Sequence, residues 1–156
     1  MDTIDRKICK LIQHDGKLSS AALADALGLP ISTANDRLRR LGASGVIAAW
    51  RGVLDPARVG AGLCAFLFID MSHDGETEAA ATLKARSEVM ELHHVSGAHS
   101  YLAKVRVADM PAMQKFLSEV VKPLKAVTRT ETVFALDTLK ETSEVAVAPP
   151  PEASPS

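Results

Sequence analysis

The apolar residues of this chain change their period once, near residue 63, and that change constrains the fold more than any other feature. Before it, apolar positions recur at helical spacing: Ile4, Ile8, Leu11 and Ile12, then Ala22, Leu23, Ala26 and Leu27, then Ala34, Leu38 and Leu41. After it, apolar and polar residues alternate, most plainly in Tyr101, Ala103, Val105 and Val107 against Lys104 and Arg106. A helical part is therefore followed by a part built on a sheet. A chain of 156 residues, 47% hydrophobic and 24% charged, has the length for two small domains and the apolar content to bury a core in each.

The helical part reads as three short helices. Asp2 precedes the first helix, Asp5 adds negative charge to its first turn, and His14-Asp15-Gly16 ends it. Ser19 is a good N-cap for the second, and Gly28 is placed to end it in a left-handed conformation. Only Gly28-Leu29-Pro30 separates it from the third, PISTANDRLRRL at 30–41. Two helices joined by so tight a turn form a helix-turn-helix, whose final helix enters the DNA major groove.

On a wheel of about 100° per residue, Ala34, Leu38 and Leu41 share one side of the third helix. Ser32, Asn35, Asp36, Arg39 and Arg40 fall opposite, with Thr33 and Arg37 on the flank. Arginine forks pair with guanine edges or phosphates, and asparagine pairs with adenine. The expected DNA-binding set is thus Ser32, Thr33, Asn35, Asp36, Arg37, Arg39 and Arg40. Charge agrees: residues 1–52 hold eight Lys/Arg against five Asp, whereas the rest of the chain holds 10 against 14 Asp/Glu.

The helix stops near Gly42 to Gly45, and residues 46–54 read as an extended segment in which Trp50 is either a core or interface anchor, the reading packing favours, or a wing residue beside DNA. Asp55-Pro56, Gly60 and Gly62 then mark a linker over 53–62. Beyond it the spacing predicts a strand at 63–71, a helix at 75–86, strands at 89–96 and 101–107 around a Gly97–Ser100 turn, a helix capped by Asp109, and a strand at 127–136. The order βαββαβ is the ferredoxin-like arrangement, and the whole chain falls in the α+β class. Residues 141–156, rich in Ala, Pro and Ser, are expected to be a disordered tail.

No apolar run reaches the length of a membrane span, and MDTIDRK lacks the order of a signal peptide, so the expected location is cytoplasmic. Cys9 and Cys64 have no CxxC or Cys/His spacing and read as free thiols. His93 and His94 would point to opposite faces of a strand, so no shared metal ion and no cofactor is expected.

Taken in order, IDRKICKLIQHDGKLSSAALADALGL at 4–29, RLRRLGASGVI at 37–47, LDPARVG at 54–60, VSGAHSYLAKVRV at 95–107 and VTRTETVFAL at 127–136 make the chain similar to the Lrp/AsnC (leucine-responsive, feast/famine) family of transcription regulators. The resemblance covers about residues 2–140. It implies a winged helix-turn-helix domain at 1–52, and a ligand-sensing (RAM) ferredoxin-like domain at 63–140 that oligomerises. It also implies a homodimer assembling to a tetramer or octamer, double-stranded operator DNA as partner, and an amino-acid-like effector held at Gly97, Ala98, His99, Ser100 and Tyr101. A glycine at 97 lets backbone approach a ligand closely.

Three positions depart from the family pattern: Ser100 stands where an aspartate is typical, Pro30 where a serine cap is, and Gly42 where a glutamate is common. One alternative remains open at this point, because sirohaem decarboxylases resemble the same two-domain family. An enzyme of that kind would use a histidine-lined haem pocket, for which His94 or His99 are the candidates.

Overall fold

The computed structural model describes residues 1–149, and the chain divides into two compact units. Among the described residues one comprises residues 1–52 together with 140–149, and the other comprises Val53–Leu139.

In the first unit α1 (Thr3–His14), α2 (Ser20–Leu27) and α3 (Ile31–Ala43) close around Ile8, Leu23, Ala24, Ala34 and Leu41. The local causes are the expected ones. Asp2 and Asp5 cap α1 reciprocally: the Asp5 N–H donates to Asp2 Oδ1 at 2.8 Å and the Asp2 N–H to Asp5 Oδ2 at 3.3 Å. Ser19 Oγ accepts the Ala22 N–H at the start of α2. Gly28, at φ 66°, turns the chain left-handed so that the Leu29 N–H returns to the Ala24 carbonyl at 3.0 Å. Lys7 Nζ reaches the Ala26 carbonyl at 2.6 Å, which satisfies a C-terminal carbonyl of α2 from α1.

The second unit runs β1 (Leu63–Met71), α4 (Glu76–Lys84), β2 (Val89–His94), β3 (Tyr101–Val107), α5 (Met110–Phe116) and β4 (Val127–Phe134). Its strand order is β2-β3-β1-β4, fully antiparallel, as a ferredoxin-like fold requires. Ala65, Leu67 and Ile69 point to one side of β1 and are fully buried with Leu83, Val105, Met113 and Phe116. Phe66, Phe68 and Asp70 point to the other side and stay half-exposed. That contrast fixes the register, because a slip of one residue would exchange the two faces.

Several expectations change. Helix α4 is shorter than 75–86, and β2 and β4 end two residues early, at His94 and Phe134. After Phe116, α5 widens into a π-helical turn over Leu117–Val121. Residues 46–54 join no sheet, and Trp50 is 56% exposed, which removes the core option and leaves the interface and wing readings. Residues 141–149, expected to be disordered, lie against α1 with Val147 packed on the helical core. The remainder of that tail, 150–156, lies outside the described residues.

Candidate nucleic-acid interface and effector turn

Helix α3 begins at Ile31 with Pro30 in the cap position and no side-chain cap bond. The N–H groups of its first turn therefore keep their donors unspent by any cap, at the end of the helix where the dipole favours an anion. Ser32, Thr33, Asn35, Asp36, Arg39 and Arg40 are all exposed, while Ala34 and Leu41 are buried. Arg39 Nη2 rests 3.0 Å from Asp36 Oδ1, with both side chains more than two-thirds exposed. Such a pair is worth little in water, so the guanidinium can exchange its partner for a phosphate at small cost.

Arg37 is placed differently from the rest of the expected set. Its Nη1 donates to Asp2 Oδ2 at 2.6 Å and to Asp5 Oδ1 at 2.8 Å, and only a fifth of its side chain is exposed. These contacts hold the Asp2 carboxyl below its ordinary range, chiefly through the Asp5 N–H and then through Arg37. They also raise the guanidinium further above its ordinary value. Arg37 therefore ties α3 to the start of α1.

Of the five residues expected at the effector turn, Gly97, Ala98, His99 and Ser100 form the β2–β3 turn, and the Tyr101 side chain departs from it. The Val95 N–H donates to the Ser100 carbonyl at 2.9 Å, closing the β2–β3 hairpin, and Gly97 at φ +124° supplies a conformation that other residues rarely adopt. Gly97 and Ala98 are exposed, and His99 and Ser100 are half-buried. Asp70, at the end of β1, organises the turn. One of its carboxylate oxygens accepts the Ser100 N–H at 3.2 Å, and both lie 3.3 Å from His99 Nδ1. The other ring nitrogen of His99 is 3.9 Å from Glu131 on β4, and the ring lies 5.1 Å from Phe68.

Tyr101 faces the opposite side of the sheet, where its hydroxyl donates to Glu76 of α4 at 2.9 Å and its ring stacks on His94 at 4.8 Å. The adjacent Glu76 carboxylate raises the Tyr101 phenol above its ordinary value.

Sequence reasoning missed Asp70, Glu76 and Glu131. For Asp70 the signal was present, because it is the only charge in LCAFLFIDM. His93 and His94 take opposite faces as expected: His93 pairs with Glu91 at 3.4 Å and His94 with Tyr101. Among the described residues no three His, Cys, Asp or Glu side chains converge as a metal site would need. Cys9 and Cys64 are both buried free thiols, and no helix of the described residues is long and apolar enough to cross a membrane.

Residues 64–145 match the family described as the Lrp/AsnC ligand binding domain, and residues 1–48 match winged helix-turn-helix DNA-binding domains. The chain belongs to the Lrp/AsnC family. It is 31% identical over 147 residues to the HTH-type transcriptional regulator FL11 of Pyrococcus horikoshii, covering 94% of this chain and 97% of that one. It is 32% identical over 150 residues to the leucine-responsive regulatory protein of Salmonella typhimurium, covering 94% and 92%.

Among solved structures, a transcriptional regulator of Neisseria meningitidis in complex with L-methionine superposes with a TM-score of 0.89 at 26% identity, over 94% of this chain and 96% of that one. The feast or famine regulatory protein of M. tuberculosis, complexed with L-methionine, gives 0.86 at 30% identity, over 94% and 99%. As an Lrp/AsnC protein the chain is a DNA-binding transcriptional regulator and not an enzyme. The sirohaem-decarboxylase alternative receives no support from these relatives.

Proposed function

We propose that this Lrp/AsnC protein reads a pseudo-palindromic operator through the exposed face of α3 and answers to an amino-acid-like effector, with methionine as the first ligand to test. The observation that carries the DNA reading is the division of labour along α3. Ser32, Thr33, Asn35, Asp36, Arg39 and Arg40 stand exposed on one face, Arg37 is retained by α1, and the uncapped first turn keeps N–H donors for a phosphate. Arg39 and Arg40 neutralise backbone phosphates or fork onto guanine, and Asn35 and the two hydroxyl residues reach base edges.

The effector reading rests on the Gly97–Tyr101 turn and on the ligand held by the two methionine-bound relatives. The Gly97 and Ala98 backbone receives the effector's carboxylate, and the carboxylate of Asp70, next to Ser100, takes the position in charge that an aspartate at 100 would otherwise fill. The open sheet face, apolar along Phe66, Phe68, Leu102 and Val133, suits a second copy of the chain. Two helix-turn-helix units are then carried on one homodimer, the building block of a tetramer or octamer in the cytoplasm. Selecting bound duplexes from a randomised pool, with and without methionine, tests the reading. It predicts enrichment of a two-fold related sequence and a change of affinity on adding the amino acid.

A further inference from the structure

Residues 141–149 form no helix or strand, yet they meet α1 at defined points. The Gln13 carboxamide faces the backbone of Val145: Nε2 donates to the Val145 carbonyl at 3.0 Å, and Oε1 accepts the Val145 N–H at 2.9 Å. One planar amide thus serves both backbone groups of a single residue, as a residue on a neighbouring strand would. Arg6, on the same face of α1, donates through Nη1 to the Ala148 carbonyl. Between these two points Val147 is half-buried against the helical core.

The spacing is in register. Seven residues of helix from Arg6 to Gln13 rise about 10 Å, and three residues of extended chain from Val145 to Ala148 span about 10 Å. Both polar contacts are to backbone, so they select an extended segment with a free N–H at one position and a small apolar side chain two residues on.

We infer that the Arg6/Gln13 face of α1 is a docking surface for an extended apolar strand, and that its occupant is this chain's own Val145–Ala148. The tail thereby becomes a strap: the chain leaves the helix-turn-helix unit after residue 52 and rejoins it from residue 140, so the effector-binding unit is tied to it by both of its ends. A loop closed in this way has fewer conformations open to it than one held by a single tether. The exposed residues of α3 take no part, so the strap leaves the proposed DNA face free. This inference does not depend on which operator or effector is used.

Hydrogen exchange on the full-length protein, read by mass spectrometry over residues 141–149, tests it. In the wild-type chain the Val145 amide, whose N–H donates to Gln13, should exchange at least about tenfold more slowly than in an unprotected peptide of the same sequence. Gln13→Ala, which removes both amide contacts, should abolish that protection. Val145→Pro deletes that amide and with it the donor to Gln13, and because it lies outside every helix it should leave exchange in α1–α3 unchanged. Co-purified mixed dimers of the two variants should show protection in neither tail. Unprotected exchange at Val145 in the wild-type tail, or protection of that amide that persists in Gln13→Ala, would overturn the docking. Protection regained by the Gln13→Ala chain in the mixed dimer would overturn the own-chain occupant, since only a tail crossing to the partner subunit gives that result.

Discussion

Arg37 Nη1 lies 2.8 Å from Oδ1 of Asp5, a residue 32 positions earlier whose carboxylate is almost wholly buried. The same nitrogen reaches Asp2, so one guanidinium joins the middle of α3 to both members of the α1 capping box. The proposed recognition helix is therefore tied to the start of α1 by a charge network that takes no part in its exposed face.

Replacing Arg37 with glutamine leaves the Asp5 carboxylate inside the fold without its cation, so the thermal midpoint of the helix-turn-helix unit should fall. Operator affinity, measured at a temperature where the variant is folded, should stay within about twofold, because no phosphate or base contact has been removed. The network also sets an acid limit. The folded pKa of Asp2 lies below its ordinary value, so the stability it confers is present above about pH 4 and is lost as pH falls through the folded pKa. Wild-type and Asp2→Asn proteins should differ in midpoint at neutral pH and converge in acid, as followed by circular dichroism.

Tyr101 is the only tyrosine of the chain, so tyrosinate absorbance reports it alone. Its hydroxyl is bound to Glu76, and ionisation would place two negative charges together, so its titration midpoint should lie above the ordinary value of 10.0. Glu76→Gln keeps a hydrogen-bond acceptor and removes the charge, and should bring the midpoint down. An unchanged midpoint in that variant would show that Glu76 is not the cause.

Asp70 both holds the Ser100 N–H and faces His99. Asp70→Asn preserves shape and removes charge, and should weaken methionine binding by about tenfold, the worth of one charge-assisted hydrogen bond. Ligand-free operator binding should be unaffected. Calorimetric titration against the wild-type protein measures the first, and an unchanged affinity would exclude Asp70 from the site.

Much of this arrangement was legible because its causes are local. Asp2, Ser19 and Gly28 act within one turn of helix, and the two-residue alternation in β1 and β3 orients side chains without reference to anything distant. The capping carboxylates of α1 could be read, whereas their third partner could not, because Arg37 lies on another helix and its wheel position on the flank suited either role. Asp70 stood out as the only charge of its strand, but its role did not, because the hairpin it holds begins 27 residues later, at Gly97. The tail's contacts could not be read from composition. Val145 and Val147 are too few to form a core of their own, but they need only complete one that already exists. Trp50 shows the converse, since residues 46–54 carry strand-like residues and find no strand to pair with among the described residues.

The central claim is that α3 meets DNA through Arg39 and Arg40. Its most direct test compares the wild-type chain with an Arg39→Ala, Arg40→Ala double variant by duplex selection and by titration across salt concentrations. The account predicts that the variant enriches no sequence, loses about two units of salt slope if both side chains contact phosphate, and keeps its oligomer size. A variant that selects the same operator with wild-type affinity and salt dependence would contradict it.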